Sequence, residues 1–111
     1  MKFDVKKSGN ATILRIHDRR LDSTISAELK AEFLVLCKPK VTEKLVVDLS
    51  DVEFCDSSGL SALLIADRTM RQHGGTVHLV QVHAKVMNLM NISMLDRVFS
   101  IHATVDDAIA S

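Results

Sequence analysis

Tryptophan and tyrosine are absent from this 111-residue sequence, and four phenylalanines are its only aromatic residues. That leaves no row of stacking rings for single-stranded nucleic acid. Net charge is absent as well. Fourteen basic and fourteen acidic side chains cancel, so no overall field draws the chain to nucleic acid or an anionic membrane. No window reaches the roughly 18 consecutive apolar residues of a membrane span. The opening MKFDVKK alternates charged and apolar residues, unlike the continuous apolar segment of a signal peptide. Cysteine is scarce: Cys37 and Cys55 form neither a CxxC motif nor a metal-ligand spacing. They read as reduced thiols in a cytoplasmic protein. With no low-complexity tract, internal repeat or linker, residues 1–111 read as one domain.

Catalytic motifs are missing in the same way. There is no P-loop and no GxGxxG, so no cofactor is expected. A hydrolase would need G-x-S-x-G and a base, whereas Asp56-Ser57-Ser58-Gly59 lacks the first glycine and any nearby histidine. A phospho-aspartate receiver would need an acidic pair after its first buried strand and a late lysine at a strand end, and neither stands out. His73, His78 and His83 recur every five residues across a helix end and a strand, which gives no common face. No HxxxH or HExxH occurs, and no metal is expected. The chain reads as a protein without catalysis of its own.

What is present is a hydrophobic content of 47%, enough for a real core, and one pointed stretch. Residues 44–64 read KLVVDLSDVEFCDSSGLSALL. Leu45-Val46-Val47-Asp48-Leu49 is short and β-branched, as a buried strand is. A seven-residue connection leads to Ser57-Ser58-Gly59, after which Leu60, Leu63 and Leu64 mark a helical face. Asp56 and Ser57 thus meet at a helix start, where a phosphate is best tolerated. Spacing alone favours plain capping, for which Ser57, Ser58 and Asp56 are all suited.

Around that stretch, Phe3 and Val5 alternate with charged residues, Ala11 to His17 alternates again, and Ser8-Gly9-Asn10 supplies a turn. The pair is an antiparallel hairpin. Asp18-Arg19-Arg20-Leu21-Asp22 reads as a loop, and Ser23 or Thr24 as the cap of a first helix. Its apolar stripe is Ile25, Leu29, Phe33, Leu36 and Cys37, and Pro39 ends it. The second helix runs to about His73 and stops at Gly74-Gly75. Small residues Gly59, Ala62 and Ala66 allow it close approach, and Asp67 and Arg71 form an i,i+4 pair. Residues 76–82 form a strand, 84 to about 90 or 94 a helix, 97–101 a last short strand, and Thr104 starts a final helix. The order ββαβαβαβα means an α/β fold, with a mostly parallel sheet and an antiparallel N-terminal edge strand.

The sequence VVDLSDVEFCDSSGLSALL resembles the bacterial anti-sigma factor antagonists, single-domain members of the STAS family. The match is densest at the Asp-Ser-Ser-Gly-Leu core of residues 56–60 and runs more loosely over the whole chain. Arg20-Leu21-Asp22 stands in the place of the family's Gly-x-Leu-Asp, with Arg19 or Arg20 in place of the glycine. Met90-Asn91-Ile92-Ser93-Met94-Leu95 resembles the family's late Met-Ser-Gly-Leu segment, with Met94 where glycine is usual. The resemblance implies a STAS-like domain that binds an anti-sigma factor serine kinase when unphosphorylated and so releases the sigma factor. It implies that the kinase phosphorylates Ser57 and that a serine phosphatase of the partner-switching type resets it. Asp56, Ser57, Ser58, Gly59, Ser61, Arg20, Asp22 and Ser23 become the expected partner-binding surface. The alternative within the family is a subunit of a lipid-transport or stress-signalling complex that docks another partner through the same helix.

Overall fold

A computed structural model describes residues 3–37 and 43–111. Strands β1 (Phe3–Ser8) and β2 (Ala11–Ile16) pair antiparallel from Phe3↔Ile16 to Ser8↔Ala11. Gly9 turns the chain between them at φ +61°, a conformation that glycine adopts without steric cost. β4 (Lys44–Asp48), β6 (Thr76–Val80) and β7 (Ser100–His102) then add parallel, giving the order β1-β2-β4-β6-β7. The antiparallel edge strand and parallel remainder are those the residue pattern predicts. Alternation decides which side chains enter the core. Leu14, Ile16, Leu45, Val47, Val77 and Leu79 point to one face and join one buried cluster.

Helices α1 (Ser26–Leu36), α2 (Ser57–Arg71) and α3 (Ala84–Ile92) add their buried faces to that cluster. The stripe Ile25, Leu29, Phe33 and Cys37 is fully buried. Pro39, expected to end α1, lies outside the described residues. α2 buries Gly59, Leu60, Ala62, Leu63, Ala66 and Met70. After it, Gly74 sits at φ +80° while the Gly75 N–H donates to the Met70 carbonyl at 2.8 Å, a glycine-closed helix end. A short helix, α4 (Val105–Ala110), starts at Thr104, whose hydroxyl accepts from the Asp107 N–H at 3.1 Å.

The structure corrects four local expectations. The segment expected as a loop at residues 18–22 contains a strand, β3 (Arg20–Leu21), and the connection before α2 contains another, β5 (Phe54–Cys55). They pair in parallel as a separate two-stranded ribbon. Neither Ser23 nor Thr24 caps α1: the helix begins after Ile25 with no side-chain cap, because Asp22 upstream organises the turn. Of the three residues suited to cap α2, Asp56 does so, and the helix begins at Ser57 as the pattern predicts. The strand expected from residue 97 starts at Ser100, after a 3-10 turn over Leu95–Arg97.

Candidate functional site

β2 and β4 are parallel neighbours, in register through Arg15↔Asp48, so the chain leaves both strands at the same edge of the sheet. Each exit then enters the ribbon. Arg20 pairs with Phe54 and Leu21 with Cys55. The Arg19 carbonyl accepts from the Glu53 and Phe54 N–H groups at 2.8 and 3.0 Å, and the Leu21 carbonyl accepts from the Asp56 N–H at 3.2 Å. This ribbon fixes where α2 begins.

Gly59 presses that helix start against the ribbon. A methyl group at Gly59 would run into the Leu21 carbonyl oxygen and come within 2.9 Å of the Cys55 sulfur. Glycine is required here for close approach, since its φ is ordinary. The small residue expected to approach the sheet therefore approaches the ribbon instead. Cys55 is buried, and burial with the nearby Asp56 charge pushes its thiol up to about 12; burial pushes Cys37 up to about 11. Both are inert thiols.

At the helix start, Asp56 Oδ1 accepts from the Ser58 N–H at 2.9 Å and the Gly59 N–H at 3.1 Å. Two orphan donors of the first turn are thereby satisfied. Asp56 Oδ2 forms no hydrogen bond among the described residues, nor does the Ser57 hydroxyl. Ser57 is exposed in the first position of α2, and Ser61, one turn on, is exposed beside it. Ser58 is half-buried, and Gly59 is buried.

The Arg20–Ser23 segment is brought alongside by the ribbon, but its members differ. Arg20 is exposed. Its guanidinium lies 4.6 Å from the centroid of the Phe54 ring, and its Nε donates to Asp22 Oδ2 at 3.0 Å. Neither Arg19 nor Arg20 has a positive φ, so arginine replaces the family glycine without strain. Asp22 is buried, its side chain 11% exposed. Hydrogen bonds from the Thr24 hydroxyl, Arg20 and the Thr24 N–H hold its carboxyl down at about 2. Asp22 is thus consumed within the loop, while Ser23 is exposed.

Phe54 was not among the expected site residues. It is 44% exposed at the ribbon's outer side, flanked by the Arg20 stack. The available signal was a single aromatic between Glu53 and Asp56 just before the serines. Further out, Asp51 receives Arg15 at 3.2 Å and His17 at 3.3 Å, and His17 also meets Asp4 at 2.8 Å. The Arg15 hydrogen bond is the main cause that holds the Asp51 carboxyl below the usual range, and the His17 bond does so for Asp4. These exposed pairs tie the two strand exits together with little stabilisation. Among the described residues no three His, Cys, Asp or Glu side chains gather as for a metal ion. No helix among them is long and apolar enough to cross a membrane.

A capped helix start with a free serine, pressed on a ribbon by glycine, accords with the family comparison: the STAS domain matches residues 2–108. The chain belongs to the STAS domain family. A curated relative from Thermotoga maritima, a candidate anti-sigma factor antagonist, is 32% identical over 65 residues. That match covers 59% of this chain and 58% of the relative. The crystal structure of a candidate anti-sigma factor antagonist from Thermotoga maritima superposes with a TM-score of 0.85 at 26% identity. It covers 97% of this STAS chain and 92% of that one. The Bacillus cell-fate determinant SpoIIAA, in its phosphorylated form, superposes with a TM-score of 0.75 at 18% identity, over 97% and 96% of the two chains. At that identity the likeness is one of fold.

Proposed function

We propose that this STAS chain is an anti-sigma factor antagonist of the partner-switching type. Unmodified, it binds a cytoplasmic anti-sigma serine kinase, and the sigma factor is freed. The kinase then transfers the γ-phosphoryl group of ATP to the Ser57 oxygen, with ADP as leaving group and the hydroxyl proton lost. A serine phosphatase hydrolyses the ester and restores the binding form. The chain itself turns nothing over; it is the phosphoryl acceptor.

One observation carries this reading. The capping work of α2 falls on Asp56, so Ser57 is left exposed with its hydroxyl uncommitted. A phosphate there adds about −1.5 to −2 charge at a helix start that accommodates negative charge. The fold survives, and a partner packed over Ser57 meets an unpaired dianion. Asp56 Oδ2, not engaged in the cap, is the carboxylate oxygen left to orient the hydroxyl or take its proton. Ser61 and Ser23, with the Arg20–Phe54 stack, complete the contact surface. Asp22 contributes indirectly, by holding Arg20.

Binding of purified anti-sigma serine kinase to the wild type, Ser57→Ala and Ser57→Asp tests the assignment, together with phosphopeptide mapping after ATP addition. The expected result is phosphate on Ser57, full binding by Ser57→Ala without ATP-driven release, and at least about a hundredfold weaker binding by Ser57→Asp. Equal kinase affinity for the wild type and Ser57→Asp would overturn it.

A further inference from the structure

The two faces of the main sheet are covered unequally. α1, α2 and α3 pack on one face; on the other, α4 packs over Val46 and Val80 through Ala108, with Val105, Ile109 and Ile13 at the margin. Beside this small cluster, on β6, His78 is buried at 6% exposure. Its Nδ1 lies 3.1 Å from Nε2 of His102 on β7, and its Nε2 lies 3.0 Å from the Thr76 hydroxyl. An N···N contact of that length holds one hydrogen, with one ring donating and the other accepting. A first added proton can sit on an outer nitrogen. A second makes both rings cationic and sets two N–H groups head to head.

The charges facing the pair are also positive. From β4, the Lys44 ammonium donates to the main-chain oxygens of Ala108, Ile109 and Ser111 at 3.0, 3.0 and 2.7 Å. The carboxylates of β4 and α4 make no ion pair with either ring, although Asp48 shares a cross-strand row with His102 through Val80. Asp48, at the opposite end of β4 from Lys44, accepts from the Ser50 N–H, and Asp106 and Asp107 are exposed in the first turn of α4. Among the described residues, no carboxylate stands within ion-pair distance of His78 or His102.

We propose that the His78–His102 pair makes the docking of α4 acid-sensitive: with both rings protonated, their mutual repulsion beside Lys44 releases α4 from the sheet. Burial, then Lys44, then His102 hold His78 below its ordinary value of 6.5, which fits the geometry. The undocked histidine therefore takes its proton at a higher pH than the docked one. Docking is fully stabilised above 6.5 and loses stability as pH falls below it. The three hydrogen bonds of Lys44 set the baseline and the histidines supply the change. α4 has six residues, too few to persist as a helix once detached. Its departure uncovers Val46, Val80 and Ile13 on the face away from Ser57.

Amide exchange and histidine ring signals, followed by NMR in the full chain from about pH 7.5 to about pH 5, test this. Uptake of the second proton by the pair should coincide with at least about a tenfold loss of amide protection in residues 105–110. Amides of β2 and β4 should keep theirs. His102→Gln, at a half-buried position, removes one of the two charges and should move the α4 transition to lower pH or abolish it. Unchanged α4 protection in the wild type with both rings protonated would overturn the proposal. So would loss of protection across all elements together, or an α4 transition that His102→Gln leaves in place.

Discussion

Helices α1 and α2 both start beside the β3–β5 ribbon, and they start in opposite ways. Before α1, the Asp22 carbonyl accepts from the Ile25 and Ser26 N–H groups at 3.2 and 3.0 Å, while its carboxylate turns inward to Thr24 and Arg20. Before α2, the Asp56 carboxylate itself caps the helix and leaves an exposed serine behind it. The same residue type thus builds a fixed floor in one place and a modifiable edge in the other. What separates them is where the side-chain oxygens go. The first serine of α1, Ser26, is buried, whereas the first serine of α2, Ser57, is exposed.

The largest effect is expected where the two starts touch. Gly59→Ala would drive a methyl group into the Leu21 carbonyl, a backbone atom that cannot swing aside. Overpacking of this kind should cost about 3 kcal/mol in denaturant unfolding, with kinase binding lost as well. A cost near zero would show that α2 and the ribbon can part freely, and the two starts would then be independent.

A smaller loss should follow from Asp22→Asn, and its pH dependence carries the test. Thr24 and Arg20 hold the Asp22 carboxyl at about 2, below its ordinary 3.8. A depressed carboxyl contributes stability above the unfolded value, and that contribution fades as pH falls through 3.8 toward about 2. Wild-type thermal unfolding should show that acid-side decline, and Asp22→Asn should flatten it. If both declined alike, Asp22 would not be the inward lock that distinguishes α1.

Next in size is Asp56→Ala, which removes the cap of α2 and should cost about 1 kcal/mol, while Asp56→Asn, still a competent cap, should cost a few tenths. Equal losses for both would mean that the charge, and not the cap geometry, sets this helix start.

The sheet and α2 were legible because their patterns are long. The alternation of Leu14 and Ile16 in β2, and the run of leucines after Ser57, leave one arrangement of buried faces. The ribbon was not legible, because a two-residue strand such as Phe54–Cys55 has no period to read. The α1 cap was misplaced because Ser23 and Thr24 both suit an N-cap by type, and only the fold shows that Asp22 takes the Thr24 N–H and hydroxyl. Met94, which stands where the family has glycine, adopts φ +62°, so the departure visible in the sequence marks a left-handed turn before the 3-10 segment. The His78–His102 contact was hidden. A five-residue recurrence draws attention to His73 and His83, whereas strand register places His102 beside β6 through Val80↔His102.

The smallest effect on stability is expected at the proposed phosphorylation site. Ser57 is exposed, its hydroxyl bonds to none of the described residues, and Asp56 already satisfies the N–H groups of Ser58 and Gly59. Ser57→Ala should therefore change unfolding free energy by no more than about 0.5 kcal/mol. Ser57→Asp places a carboxylate in the first turn, where the helix dipole favours it by about 0.3–1 kcal/mol, against a repulsion from Asp56 of similar size. The two nearly cancel, and the midpoint should stay within a few tenths of a kcal/mol of wild type. Salt separates the two terms from a packing defect, because both are screened within about 10 Å at 0.1 M ionic strength. A loss of several kcal/mol in Ser57→Asp that salt does not relieve would mean that Ser57 is part of the floor. The contrast between the two helix starts would then be gone.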